Sequence, residues 1–203
     1  FIVRWPGHVK PGSTCDSLIE YADVVPTFVE AAGGKPAAII DGKSLIPLLK
    51  GKKRTHKKYV FSEMTTKGII NAPKHYGIRS VRSLKYKYIW NFTPDVKFEN
   101  VVTIPEDTKW GEAQVFNSWK RATKTDPDAA EKVRRYHHRP GEELYAIDED
   151  TDEWNNLAYN PEYAAIKKQL RNALLAHMEE VGDLGQATEA AADQRNAKNL
   201  KKK

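Results

Sequence analysis

The chain holds a single cysteine, Cys15, so no internal disulfide can brace it. A chain of 203 residues can build a core large enough to do without one, even in an oxidising compartment. No stretch approaches the ~20 consecutive apolar residues that cross a bilayer, so no membrane partner is read here. The phosphate-loop, dinucleotide-fingerprint, nucleophile-elbow and H-E-x-x-H patterns are all missing. Those absences remove the enzyme classes that announce themselves by one short motif. An initiator Met and a signal-like apolar run are missing as well. The chain opens on Phe1-Ile2-Val3-Arg4-Trp5, which reads as the end of a buried strand and as the edge of a longer protein. No internal repeat is visible.

What is present is an ordinary globular composition, with 40% hydrophobic and 30% charged residues. Five Trp, nine Tyr and six Phe can anchor a core. The formal net charge is +6, and much of the excess sits in two runs: KGKKRTHKK at 50–58, and the end of the chain with Arg195, Lys198 and Lys201 to Lys203. Such runs suit an anionic partner, either nucleic acid or a sulfated or phosphorylated polymer. They equally suit a solvated loop and a loose tail.

Pro6-Gly7 and Pro11-Gly12 break the chain early. A short helix is expected over 24–32, capped by Asp23 through the amide of Val25 and stopped by Gly33. A second short apolar run, 45–49, follows Ser44. Runs rich in β-branched and aromatic residues at 59–63, 76–82, 86–91 and 143–147 predict four strands. Ser83-Leu84-Lys85 is short enough to close a hairpin, and an antiparallel sheet follows. An insertion over about 93–140 reads as helical in its middle, where Asp126-Pro127 leads into residues 128–136. The clearest helix opens at Asn160-Pro161. Its Tyr163, Ile166, Leu170, Leu174, Met178 and Val181 recur at spacings of three and four, so they line one face, and the sheet is its expected partner. From Asp183 onward the chain reads as a loosely held tail.

Local chemistry is sparse. Cys15 lacks a visible base and has Asp16 beside it, so a catalytic thiol is not indicated. His137 and His138 are neighbours, and side chains one residue apart on a helix point about 100° apart. They read as packing or surface residues. The acidic run 148–153 begins like an EF-hand loop, but Glu153 stands where glycine is needed and Tyr159 where the bidentate Glu belongs. It reads as an acidic turn. Asn91-Phe92-Thr93 fits the glycosylation tripeptide, with Pro94 immediately after.

The order of segments carries more. FIVRWPG at 1–7 resembles the F-x-V-x-W-P-G segment of the type I sulfatases, the formylglycine-dependent members of the alkaline phosphatase superfamily. YADVVPTF at 21–28 resembles their D-x-x-P-T helix, and DGKSLIPLL at 41–49 their G-x-S-L-x-P-L-L segment. IRSVR at 78–82 with KYKYI at 85–89 is similar to their C-terminal subdomain. So is ELY at 143–145 with Asp152-Glu153 and Asn156-Leu157-Ala158. The 76–81 run, the insertion after Asn91 and YHHR at 136–139 look most like the sulfamidase, or heparan N-sulfatase, branch.

That resemblance implies an α/β protein, α+β in this piece. Residues 1–55 would end the large α/β domain. Residues 56–183 would form a subdomain, with a small four-stranded antiparallel sheet packed by the C-terminal helix, and 184–203 a polar, Lys-rich tail. It implies a hydrolase of sulfate esters or N-sulfates on a glycan, with calcium and a formylglycine made from the Cys of C-x-P-S-R. Neither the metal ligands nor that Cys maps here, since Cys15 is followed by Asp-Ser-Leu. The chain alone is therefore expected to be inactive and to supply one wall of the substrate pocket. The strand–loop–strand 63–79 is the expected wall. Lys67, His75 and Arg79 are its candidates for holding sulfate or carboxylate groups. Arg79 alternates with apolar neighbours and also suits the role of structural partner to an acid. The resemblance places the whole enzyme in the periplasm, the lysosome or outside the cell. The alternatives are a phosphodiesterase or phosphonate hydrolase of the same superfamily, and a basic anion- or nucleic-acid-binding module.

Overall fold

In the computed structural model, residues 1–65, 76–100, 103 and 111–193 are described. Four strands, β1 (Val60–Met64), β2 (Ile78–Arg82), β3 (Tyr86–Asn91) and β4 (Glu142–Ala146), form one antiparallel sheet in the order of the chain. The expected hairpin closes β2 to β3. Ser83 donates its amide to the Tyr86 carbonyl, and its hydroxyl accepts from the Tyr86 amide.

Alternation along the strands makes the sheet a middle layer. Val81, Tyr88, Leu144 and Ala146 face one way and meet Leu170, Leu174 and Met178 of α5 (Ala164–Glu180). Asn160 caps the turn ahead of that helix by accepting from the Glu162 amide at 3.0 Å. The stripe read from the sequence is thus the buried stripe, although its last member, Val181, is exposed. Burying each Leu is worth about 1.5–3 kcal/mol, so this face is a main hold on the sheet.

The opposite face carries Ile78, Ile89 and Tyr145, with Tyr76 and Phe98 packed on them. Here the insertion docks. Asp126 caps α4 (Pro127–His137) by accepting from the amides of Asp128 and Ala129. A further helix, α3 (Gly111–Ala122), precedes it, and Phe116 packs on Tyr136 and His137. His137 is buried, with Nδ1 2.8 Å from the Phe98 carbonyl. Burial holds its pKa below the ordinary histidine value, against the pull of that carbonyl. His138 is exposed.

Residues 1–5, read as the end of a strand of a larger sheet, pair with no described strand, and Phe1 and Ile2 lie exposed. Two expectations need correction. Asp23 does not cap α1 (Val24–Ala31) through Val25, because its carboxylate is used elsewhere. The stretch after Asp183 is not loose as far as residue 193. It forms α6 (Gln186–Ala190), and Glu189 is buried against the sheet.

Candidate functional site

The chain around α1 is tied to the sheet through one buried carboxylate. Asp23 is fully buried. One oxygen accepts from the Lys43 amide at 2.8 Å and lies 2.9 Å from Lys57 Nζ. The other accepts from the Glu20 amide at 2.9 Å and faces His56 Nε2 at 3.2 Å. Burial pushes its pKa up, but the Lys43 amide, the Lys57 ammonium and the Glu20 amide outweigh that and hold it below the ordinary aspartate value. Thr27, one turn on, donates to the Asp23 carbonyl and accepts from the amide of Leu45, the residue ahead of α2 (Ile46–Leu49). Gly42 passes so close to the Ala22 carbonyl that a Cβ would not fit. Glu20 completes the joint by pairing with Lys57 and accepting from the Phe61 amide of β1. Lys57, counted in the basic run, is therefore an internal ion-pair partner and not a solvated charge.

The second constellation sits at the loop end of the β1–β2 hairpin, where Arg79 stands opposite Glu63. Arg79 is only 4% exposed. Its Nε donates to Asp183 Oδ2 at 2.5 Å, and Nη2 reaches Glu189 Oε1 at 2.8 Å and Asp183 Oδ1 at 3.4 Å. Nη1 donates to the Ile78 carbonyl at 3.0 Å and to the Met64 carbonyl at 3.4 Å. Burial disfavours its charge, but the two acids more than compensate and raise its pKa. Asp183 is held below the ordinary range: burial raises it, and Arg79 with the Gly185 amide overcomes that.

On the other face of the sheet, Glu143 accepts from Asn91 Nδ2 at 2.7 Å and from the Tyr145 hydroxyl at 2.5 Å. Asn91 is buried and spends its amide on Glu143 and the Pro140 carbonyl, so the glycosylation tripeptide is structural.

Residues 1–122 match the family model described as N-sulphoglucosamine sulphohydrolase, C-terminal. The chain belongs to this family of sulfatase C-terminal regions. An ulvan-active sulfatase of Formosa agariphila is 37% identical over 184 residues, 91% of this chain and 33% of that protein. A second ulvan-active sulfatase of the same organism is 26% identical over 195 residues, 90% of this chain and 29% of that protein. The chain thus spans about a third of the length of the curated relatives it matches. The solved structure of BT4656 in complex with its substrate D-glucosamine-2-N,6-O-disulfate aligns with a TM-score of 0.58 at 21% identity. That alignment covers 90% of this chain and 28% of the other, and it establishes a shared fold.

Of the candidate residues in this sulfatase region, Lys67 and His75 lie outside the described residues. Arg79 is described, and its donors are taken up by Asp183, Glu189 and two carbonyls, the acid-partner role. Cys15 is exposed. The acidic run is a turn in which Asp150 accepts from the amides of Trp154 and Asn155. Among the described residues, no three His, Cys, Asp or Glu side chains converge as metal ligands. Asp183 and Glu189 escaped the sequence reading. Their only signal was two acids in an Ala-rich stretch, and neither shows a periodic partner.

Proposed function

We propose that the whole enzyme hydrolyses sulfate groups on a glycan, and that this chain forms the C-terminal wall of its substrate pocket. The observation that carries the reading is the match to an ulvan-active sulfatase across nine-tenths of the chain. Formylglycine and calcium would supply the nucleophile and the charge stabilisation from the remaining part of the enzyme. The residues described here would bind and orient, which changes affinity more than bond breaking.

In this reading residues 1–55 complete the larger α/β domain. Supporting that, Tyr21, Val25 and Phe28 are exposed at spacings of four and three, an apolar helix edge that two thirds of a sulfatase is available to cover. The finer assignment concerns the group removed. The 76–81 and 136–139 runs and the family description favour the sulfamidase branch, whereas the relatives covering nine-tenths of the chain are ulvan-active sulfatases. We take ulvan-like sulfated glycans as the substrate class. The test is the full-length enzyme assayed in parallel on ulvan and on N-sulfated glucosamine. Release of sulfate from ulvan is expected. Turnover of the N-sulfate alone would return the enzyme to the sulfamidase branch.

A further inference from the structure

Beside α5 the chain leaves a cleft of about 570 Å³, bounded by residues 55–58, the β2–β3 turn at 83–86 and the first two turns of the helix. Its floor is apolar. Leu170 is buried there, and Tyr86 and Ile166 are half-buried against the core of the sheet. Its charged walls are all of one sign: three lysines and His56 line it, with no Asp or Glu among them. Lys57 is spent on Glu20 and Asp23, and His56 faces Asp23. Lys58 and Lys85 are exposed and pair with no acid among the described residues. Lys58 Nζ lies over the Tyr59 ring, 5.0 Å from its centre. The Gln169 amide donates to the Tyr59 hydroxyl at 2.7 Å, which leaves its carbonyl oxygen to accept. The walls are fixed before any ligand arrives. The His56 amide donates to Ser17 Oγ at 2.7 Å, Lys57 is bridged to Leu18, and Ser83 ties the turn to Tyr86 through its amide and its hydroxyl. A preformed pocket with an apolar floor and a few polar groups on its rim is the usual form of a small-ligand site. Lysine is depleted from the buried core of protein interfaces, so two unpaired ammoniums favour a solvated ligand over a covering domain.

We propose that this cleft binds one sulfated unit of the glycan, with Lys58 and Lys85 holding its anionic groups. The ligand class rests on the reading of the enzyme as a glycan sulfatase. A sulfated sugar ring has a C–H face and a rim of hydroxyls and charges, the same division that the cleft shows. The C–H face meets Leu84, Tyr86 and Ile166, and Gln169 accepts from a hydroxyl. An ammonium on a flexible stem is a point charge that follows a sulfate to more than one ring position. A nucleic acid is the poorer fit. Two free ammoniums neutralise few phosphates, and the cleft presents one ring, Tyr86, where a nucleic-acid track needs a series of stacking platforms.

The test uses the full-length enzyme with three probes: ulvan oligosaccharides, the same oligosaccharides after chemical desulfation, and single-stranded DNA of matched length. Hydrogen exchange is followed in peptides covering 55–58 and 83–86. The sulfated oligosaccharides in excess are expected to slow exchange in both, and the desulfated ones and the DNA to leave it unchanged. Lys58→Gln combined with Lys85→Gln is expected to weaken binding of the sulfated probe about threefold to twentyfold. The control pair Lys124→Gln and Lys132→Gln removes the same charge from exposed positions that do not line the cleft, and is expected to change binding less than about twofold. Absence of protection at 55–58 and 83–86 in the wild type overturns the site. Equal protection by the desulfated probe overturns sulfate recognition, and equal protection by DNA overturns the choice of a glycan. Equal weakening by the two variant pairs overturns the roles of Lys58 and Lys85. The exchange readout needs no turnover. Protection in an enzyme that releases no sulfate from ulvan would therefore refute the functional reading and leave the cleft standing.

Discussion

Asp23 shows how one side chain can join two halves of a chain. It accepts from two amides and meets Lys57 and His56 with no exposure to solvent. Removing one member of a buried pair leaves the other uncompensated, at a cost of about 3–5 kcal/mol. Asp23→Ala in the full-length enzyme is expected to lower the midpoint of chemical denaturation accordingly, and Asp23→Asn to lower it less. A melt unchanged by Asp23→Ala would remove the joint from the account. The pH dependence follows from the same group. Both Asp23 and Asp183 have folded pKa values below their ordinary ones. Their stabilisation is complete above the unfolded aspartate value of about 3.9 and is lost as pH falls through the folded values. Stability measured from pH 5 downward should therefore fall, and Asp23→Asn should flatten that slope. The sequence showed Asp23 in a helix-opening position but not its use. A cap and a buried hub have the same local pattern, and only the approach of Lys43 and Lys57 separates them.

At the scale of elements, period and turn chemistry were legible wherever a face had a partner inside the chain. The four strands and the α5 stripe were read from alternation and from three-four spacing, and both faces of the sheet bear this out. Leu170 is buried against that sheet, while Lys168 points to solvent. Leu170→Ala should cost about 2–5 kcal/mol in the full-length enzyme and Lys168→Ala almost nothing, as read by urea midpoints. Equal small effects would mean that α5 does not pack as described. Two elements were not legible. Helix α3 has only scattered apolar positions, among them an exposed Val115 and a half-exposed Trp119. Helix α6 is five residues long and is held by Glu189 through an ion pair, which leaves no hydrophobic period to read. The candidate site suffered the same way. Arg79 was found from its strand position, but the acids that hold it lie more than a hundred residues away in sequence.

For the molecule as a whole, the chain carries the architecture of a sulfatase C-terminal region, and its described residues assemble buried ion pairs that brace the sheet. The charge excess, read at first as a possible nucleic-acid footprint, is partly internal, since Lys57 and Arg79 are neutralised by Glu20, Asp23, Asp183 and Glu189. The central proposal is a division of labour, in which this region would shape the pocket and the rest of the enzyme would break the bond. The most direct measurement is sulfate release from ulvan and from an aryl sulfate, by the full-length enzyme and by residues 1–203 alone at matched concentration. The account predicts turnover by the full-length enzyme on both and none above blank by the chain alone. Turnover by the chain alone, with contaminating sulfatase excluded, would contradict it.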